Sequence, residues 1–386
     1  MSDKIILKGI TWNHSRGFVP MVATAQRFSE LNPQVEITWE KRSLQQFADF
    51  SIQELAARFD LLVIDHPWAG FAAKTKSILP LDHYLSEFYI EDQRLNTVGH
   101  SFESYSYDGH QWALPIDAAT PVASSRPDLL EKNETRLPAS FEDLLLLADK
   151  GLVAFAGIPI DVLMNFYTFC CSLGEDPCQQ EDAVISKETG VKALQMYREL
   201  AAKIHQDNFK RNPIQVYEAM TLTDDIAYCP FAYGYSNYSR PGYAAKLLHF
   251  HDMISLDGKT NLRSTLGGTG LAISSSSAHI DMAVKYADYV GSAACQQTVF
   301  FENGGQPGHL KAWKDAEVNR KSSNFFANTL PALQRAFLRP RYHGHMFFQD
   351  HAGDIVRDYL MNGGNELAVL EKMNSLYLES RSLVLS

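Results

Sequence analysis

The sequence predicts an α/β protein of two domains, and three observations carry that expectation. Strand and helix periodicities alternate through the first 120 residues. Phe59-Asp60-Leu61-Leu62-Val63-Ile64-Asp65 is a nearly continuous apolar run, the kind found in a parallel strand covered on both faces. Thr265-Leu266-Gly267-Gly268-Thr269-Gly270-Leu271-Ala272-Ile273 is a glycine-rich turn that leads the chain back into a buried sheet. With 386 residues, 45% hydrophobic and 21% charged, the chain is long enough and apolar enough for two substantial cores.

The elements follow in order. Lys4 to Trp12 reads as a strand. Phe18, Val22, Ala25, Phe28 and Leu31 form a helical stripe that stops at Asn32-Pro33, and Val35, Ile37 and Trp39 alternate as the next strand. A second helix is expected over roughly Leu44 to Arg58, ahead of the apolar run at 59–65. Tyr107-Asp108-Gly109-His110 reads as a hairpin turn, and Ala113 to Asp117 as a short extended exit. Ser140 is a natural N-cap, with Asp143 three residues on completing an imperfect capping box. Asp225 to Pro230 is strand-like and precedes a loop dense in aromatics, with Phe231, Tyr233, Tyr235 and Tyr238. No internal repeat is visible.

Composition narrows the function. A net charge of -10 argues against nucleic acid and anionic membrane surfaces as partners. The glycine run lacks the sixth-place glycine of a dinucleotide fingerprint, and at Gly258-Lys259-Thr260 a nucleoside-triphosphate loop fails because Met253 stands where its leading glycine belongs. No stretch of about eighteen apolar residues occurs. The first residues carry no apolar segment of secretory type, so the expected location is periplasmic or cell-surface where a leader has been removed, and cytoplasmic otherwise. Five cysteines, at 170, 171, 178, 229 and 295, lack the spacing of a disulfide framework, and the reading leaves open one bridge from Cys178 to Cys170 or Cys171.

Seven pieces in order give the chain a family likeness: 59–65 followed by Ile78-Leu79-Pro80-Leu81-Asp82; Tyr107-Asp108-Gly109 leading to Leu114-Pro115; Pro138 to Leu144; Leu266 to Ile273; Ala283 to Ala287; and Gly304-Gly305-Gln306-Pro307. In these the sequence resembles the extracellular solute-binding proteins of ABC importers, family 1, the maltose-binding-protein-like carbohydrate binders. The resemblance implies a periplasmic-binding-protein fold of type II, with discontinuous lobes joined by hinge strands and closing on a ligand. Residues 1–117 and 268–316 would make the N-terminal lobe, and 118–267 and 317–386 the C-terminal lobe. It also implies a monomer without cofactor that captures a sugar or sugar acid and presents it to permease subunits. Two departures stand out: Ser124-Ser125-Arg126-Pro127-Asp128 replaces the family's usual Tyr-Asn pair, and a secretory leader is not seen.

Ligand contacts are expected beyond strand carboxyl ends, as in other open α/β sheets. Trp12, His14 and Arg16 follow the first strand; Asp65, whose alternative role is to cap the next turn, and Trp68 follow the third; and Asp117 lies at the inferred first crossover. Gly268 and Thr269 would turn backbone amides to the ligand, with Gly268→Val expected to impair closure while leaving each lobe folded. Tyr233, Tyr235 and Asn237 suit a sugar's C–H face and hydroxyls, whereas Tyr167, also a candidate, sits in an apolar helix that favours packing. Arg341 and His345 offer a cation for a carboxylated sugar. No metal is expected: His249-x-His251 and His343-x-His345 lack further ligands at characteristic spacing. Two other readings keep different chemistry, a cytosolic metabolite sensor of the same fold and a sugar-active enzyme. Against the enzyme, Asp224 and Asp225 are adjacent and point to opposite faces of an extended chain, and no Gly-x-Ser-x-Gly elbow occurs.

Overall fold

A computed structural model describes residues 4–43, 52–256 and 258–383. The strands are β1 (Ile5–Trp12), β2 (Val35–Arg42), β3 (Leu61–Ile64), β4 (Ser106–Tyr107), β5 (His110–Gln111), β6 (Leu114–Ala119), β7 (Pro121–Ser125), β8 (Tyr228–Tyr233), β9 (His249–His251) and β10 (Gly267–Ile273). Four helices matter below: α1 (Ser15–Leu31), α2 (Pro159–Ser172), α3 (Ile280–Gly291) and α4 (His345–Asn362). The helix expected over Leu44 to Arg58 falls in part on residues 44–51, outside the described set; the described part contains a short helix, Ile52–Ala56. No described helix is long and apolar enough to cross a membrane.

The chain divides into two compact units, each assembled from separate segments. Residues 1–119, 267–320 and 341–343 make the first, and 120–266, 321–340 and 344–386 the second.

The first unit is built on a five-stranded sheet in the order β2-β1-β3-β10-β6. β1 runs parallel to β2 and β3, while β10 runs antiparallel to both β3 and β6. Side-chain alternation in β3 explains its unbroken apolar sequence. Leu61 and Val63 join a cluster with Phe28 of α1, Trp39 of β2 and Tyr286 of α3, whereas Leu62 and Ile64 join another with Ile10, Tyr105 and Trp112. All four are buried, so each contributes roughly 1.5–3 kcal/mol of burial free energy. α1 begins at His14, whose ring nitrogen accepts from the Arg16 amide, and ends at Asn32, whose amide donates to the carbonyls of Phe28 and Ser29 ahead of Pro33.

The glycine run is strand rather than turn. Gly268 pairs with Ala118 at φ +101, and the β6–β10 register shifts between Thr269 and Gly270, where Ile116 is the extra residue. A β-carbon on Gly268 would stand 2.3 Å from the Asp117 carbonyl oxygen and 2.7 Å from Ala118 Cα. This corrects the expectation that Gly268→Val spares the folded lobe, because valine collides with main chain that cannot give way. The variant is expected to lose about 1–3 kcal/mol or more of stability, read as a lower melting temperature by calorimetry; an unchanged melting temperature refutes the close approach.

In the second unit β7 is flanked by β8 and β9, antiparallel to both. Pro230 lies within β8, where it can give no ladder hydrogen bond; β8 is an edge strand, and its pairing with β7 shifts register between Val122 and Ser124. The helix after Ser140 carries a complete capping box. Asp143 donates its amide to Ser140 Oγ, and the Ser140 amide donates to Asp143 Oδ2. Arg126 is buried and donates to the carbonyls of Met220 and Thr223 at the end of the helix Pro213–Leu222, with Asp128 and Asp224 as its carboxylate partners. All five cysteines are free, so the bridge left open for Cys178 does not form.

Candidate functional site

Strand ends and the register shift position the first unit's polar cluster. Beyond β1, Trp12 lies against Gly17 of α1, and Arg16 in the first turn of α1 reaches back to β6. Arg16 donates twice to Asp117, Nε to Oδ2 at 2.8 Å and Nη2 to Oδ1 at 2.5 Å, a bidentate pair with both side chains almost wholly buried. The β-bulge at Ile116 adjoins Asp117, as expected where a strand must re-aim a side chain. Burial pushes the Asp117 carboxyl up, against the lowering by the Arg16 guanidinium and by the Thr269 backbone amide that donates to it. Burial, and then the Arg16 charge, lower His14 to about 4, so at neutral pH its imidazole is uncharged. Its Nδ1 accepts from the Arg16 amide, which leaves the proton on Nε2. Thr269 is buried, and its hydroxyl oxygen has no hydrogen-bond partner among the described residues.

Arg16 and Asp117, each expected to meet ligand, bond to one another. Their chemistry is that of a rigid anchor tying the α1 N-terminus to β6 and β10, with Trp12, His14 and Thr269 arranged around it.

Asp65 caps the short turn His66–Trp68 by accepting the His66 amide at 2.9 Å, which is the capping role. Trp68 is half-buried with its edge against Phe71, and Phe71 stacks on His343 at 5.4 Å between ring centroids. Arg341 is engaged with main chain. Its Nη1 donates to the carbonyls of Glu103 and Ser106, an arrangement that caps the helix Ser101–Ser104 and holds the segment 341–343 in place.

In the second unit Tyr233 closes β8 with its hydroxyl 2.8 Å from Thr265 Oγ1, and its carbonyl accepts from the Tyr217 hydroxyl at 3.0 Å. Tyr217 meets Tyr235 edge-on at 6.3 Å, so these aromatics form one support around the turn Ser236–Ser239, where Asn237 is buried. Tyr167 is fully buried in the middle of α2 with its ring edge-on to Phe337 and its hydroxyl near Cys178 Sγ; it packs the core. His345 begins α4 and is fully buried, hence not an exposed cation.

One residue passed over in sequence stands out. Asp161 lies in the first turn of α2, where every residue from Asp161 to Cys171 is buried, and its Oδ2 has no hydrogen-bond partner among the described residues. Burial alone pushes its carboxyl up to about 8. A helix N-terminus favours an anion by only about 0.3–1 kcal/mol, too little to offset that desolvation. Asp161 is therefore a neutral acid at pH 7, able to donate one hydrogen bond and accept another. Its signal in sequence was a single carboxylate inside an otherwise apolar helix start, Ile158-Pro159-Ile160-Asp161-Val162-Leu163.

The fold matches solved structures along its whole length. A solute-binding protein of an ABC transporter from Agrobacterium radiobacter K84, solved with ribitol, superposes with a TM-score of 0.82 at 18% identity, covering 98% of this chain and 99% of that one. Maltose-bound MalE3 of T. maritima gives 0.83 at 18% identity over 97% and 99%. The Thermus thermophilus maltotriose-binding protein gives 0.76 at 17% identity over 98% and 100%. No curated protein matches in sequence. The architecture is thus that of the two-lobed solute receptors. The chain belongs to the bacterial extracellular solute-binding protein family, whose pattern matches residues 23–322.

Proposed function

We propose that this receptor captures a carbohydrate, a sugar, polyol or sugar acid, and delivers it to the permease subunits of an ABC importer, acting as a monomer at the periplasmic face or cell surface. Asp161 carries this reading. A buried, neutral carboxyl that makes no hydrogen bond among the described residues is destabilising, and a hydroxyl-bearing solute supplies the donor and acceptor it needs. Thr269 adds a second buried hydroxyl of the same kind in the first unit, and the tyrosines at 233 and 235 provide apolar faces of the sort sugar C–H groups pack against. Structural relatives also bind this chemical class: one from Agrobacterium vitis S4 was solved with D-mannitol and one from Thermotoga lettingae with α-D-tagatose.

The receptor binds without turnover. Asp224, one of the paired carboxylates an enzyme reading needs, spends an oxygen on Arg126 instead. A thermal-shift screen across monosaccharides, oligosaccharides, polyols and sugar acids tests the proposal. A tight solute at a hundredfold excess over its dissociation constant should add roughly 2.7 kcal/mol of stability, and the same solute should be recovered chemically intact. The proposal fails if no carbohydrate raises the melting temperature, or if any is consumed.

A further inference from the structure

We propose that Asp82, His83 and His110 of the first unit form a binding site for one divalent transition-metal ion of the zinc class. The hairpin β4–β5 and the short turn Leu81–His83 bring these side chains together although 28 positions separate Asp82 from His110. One ligand atom from each, two imidazole nitrogens and a carboxylate oxygen, lie within 4.8 Å of one another. His110 Nδ1 is 2.9 Å and His83 Nε2 3.8 Å from the same atom, Asp82 Oδ2. Ligand atoms around a tetrahedral zinc at about 2.0–2.1 Å stand about 3.3 Å apart, so the cluster needs adjustments of an ångström or so.

The surrounding structure holds the ligands ready. Asp82 Oδ1 accepts the Gln111 backbone amide at 2.9 Å, which turns Oδ2 toward the histidines. Leu81, before Asp82, and Trp112, beyond His110, are buried, and Trp112 Nε1 donates to the Tyr107 carbonyl. The three side chains reach solvent, leaving at least one coordination position for water. On binding, His110 moves its proton from Nδ1 to Nε2, and the Nδ1 lone pair replaces that hydrogen bond with a metal bond. Two imidazoles and one carboxylate suit zinc, copper(II) or nickel(II) rather than magnesium or calcium, which take oxygen ligands.

The test uses the full chain without a polyhistidine tag and in the absence of any carbohydrate, so its outcome is separate from that of the solute proposal. Calorimetric titration with zinc chloride should show one saturable site. His83→Ala, an exposed position, and Asp82→Asn, which keeps an acceptor for the Gln111 amide, should each weaken it about tenfold or more with unchanged circular dichroism. His249→Ala should leave it intact. Copper(II) should quench Trp112, whose ring lies 6.0 Å from that of His110, and His110→Ala should abolish that quenching. Absence of saturable zinc binding, or equal binding by the His83 and Asp82 variants, overturns the proposal.

Discussion

Asp117→Ala is expected to lower the free energy of unfolding by about 3–5 kcal/mol, because it strands the Arg16 guanidinium inside the first unit without its carboxylate. Both charges have left water, and their attraction offsets that cost only while the bidentate geometry is intact. The loss is therefore a penalty for leaving one ion alone, not a measure of what the pair adds over an apolar equivalent. Arg16→Met combined with Asp117→Leu removes both ions and should recover most of the loss. Urea denaturation of the two single variants and the double variant reads this directly. If Asp117→Ala costs under about 1 kcal/mol, the range of exposed ion pairs, the pair is not sealed from solvent and its anchoring role fails.

That anchor shows where local sequence stops being informative. Arg16 follows the end of β1, the place where a polar residue in an open α/β sheet is best read as a ligand contact, and Asp117 lies within β6 at the inferred crossover. Their partnership spans 101 positions, and no local pattern encodes it. The same holds for β10, whose apolar residues are plain in sequence but whose insertion between β3 and β6, antiparallel to both, is set by tertiary pairing. Features closed within a few residues were legible. The helical stripe that stops at Asn32, the Asp108-Gly109 turn with both residues at positive φ, and the Ser140–Asp143 box all rest on neighbours the sequence displays side by side. Histidines behaved likewise. The visible pairs at 249/251 and 343/345 draw attention by spacing, yet His251 is engaged with Ser125, and His343 and His345 belong to different units. The cluster at Asp82, His83 and His110 exists only once the hairpin folds.

Asp161 makes the unliganded receptor's stability depend on pH in the direction opposite to an ordinary paired carboxylate. Its folded value, about 8, lies above the unfolded one, near 3.9. Between those limits the unfolded chain has released the proton and the folded chain keeps it, so raising the pH favours unfolding by about 1.4 kcal/mol per unit. This penalty is absent below about pH 4, grows through neutrality and levels off above the folded value near 8. Asp161→Asn cannot ionise and should remove that slope, leaving the variant more stable than the parent at pH 7. The gain should narrow toward pH 4, and urea midpoints measured from pH 4 to 8 for both proteins check it. Parallel profiles would show that the carboxyl is solvated after all. Asp161→Leu completes the argument: it should fold at least as stably as the parent at pH 7 and bind carbohydrate about tenfold or more weakly.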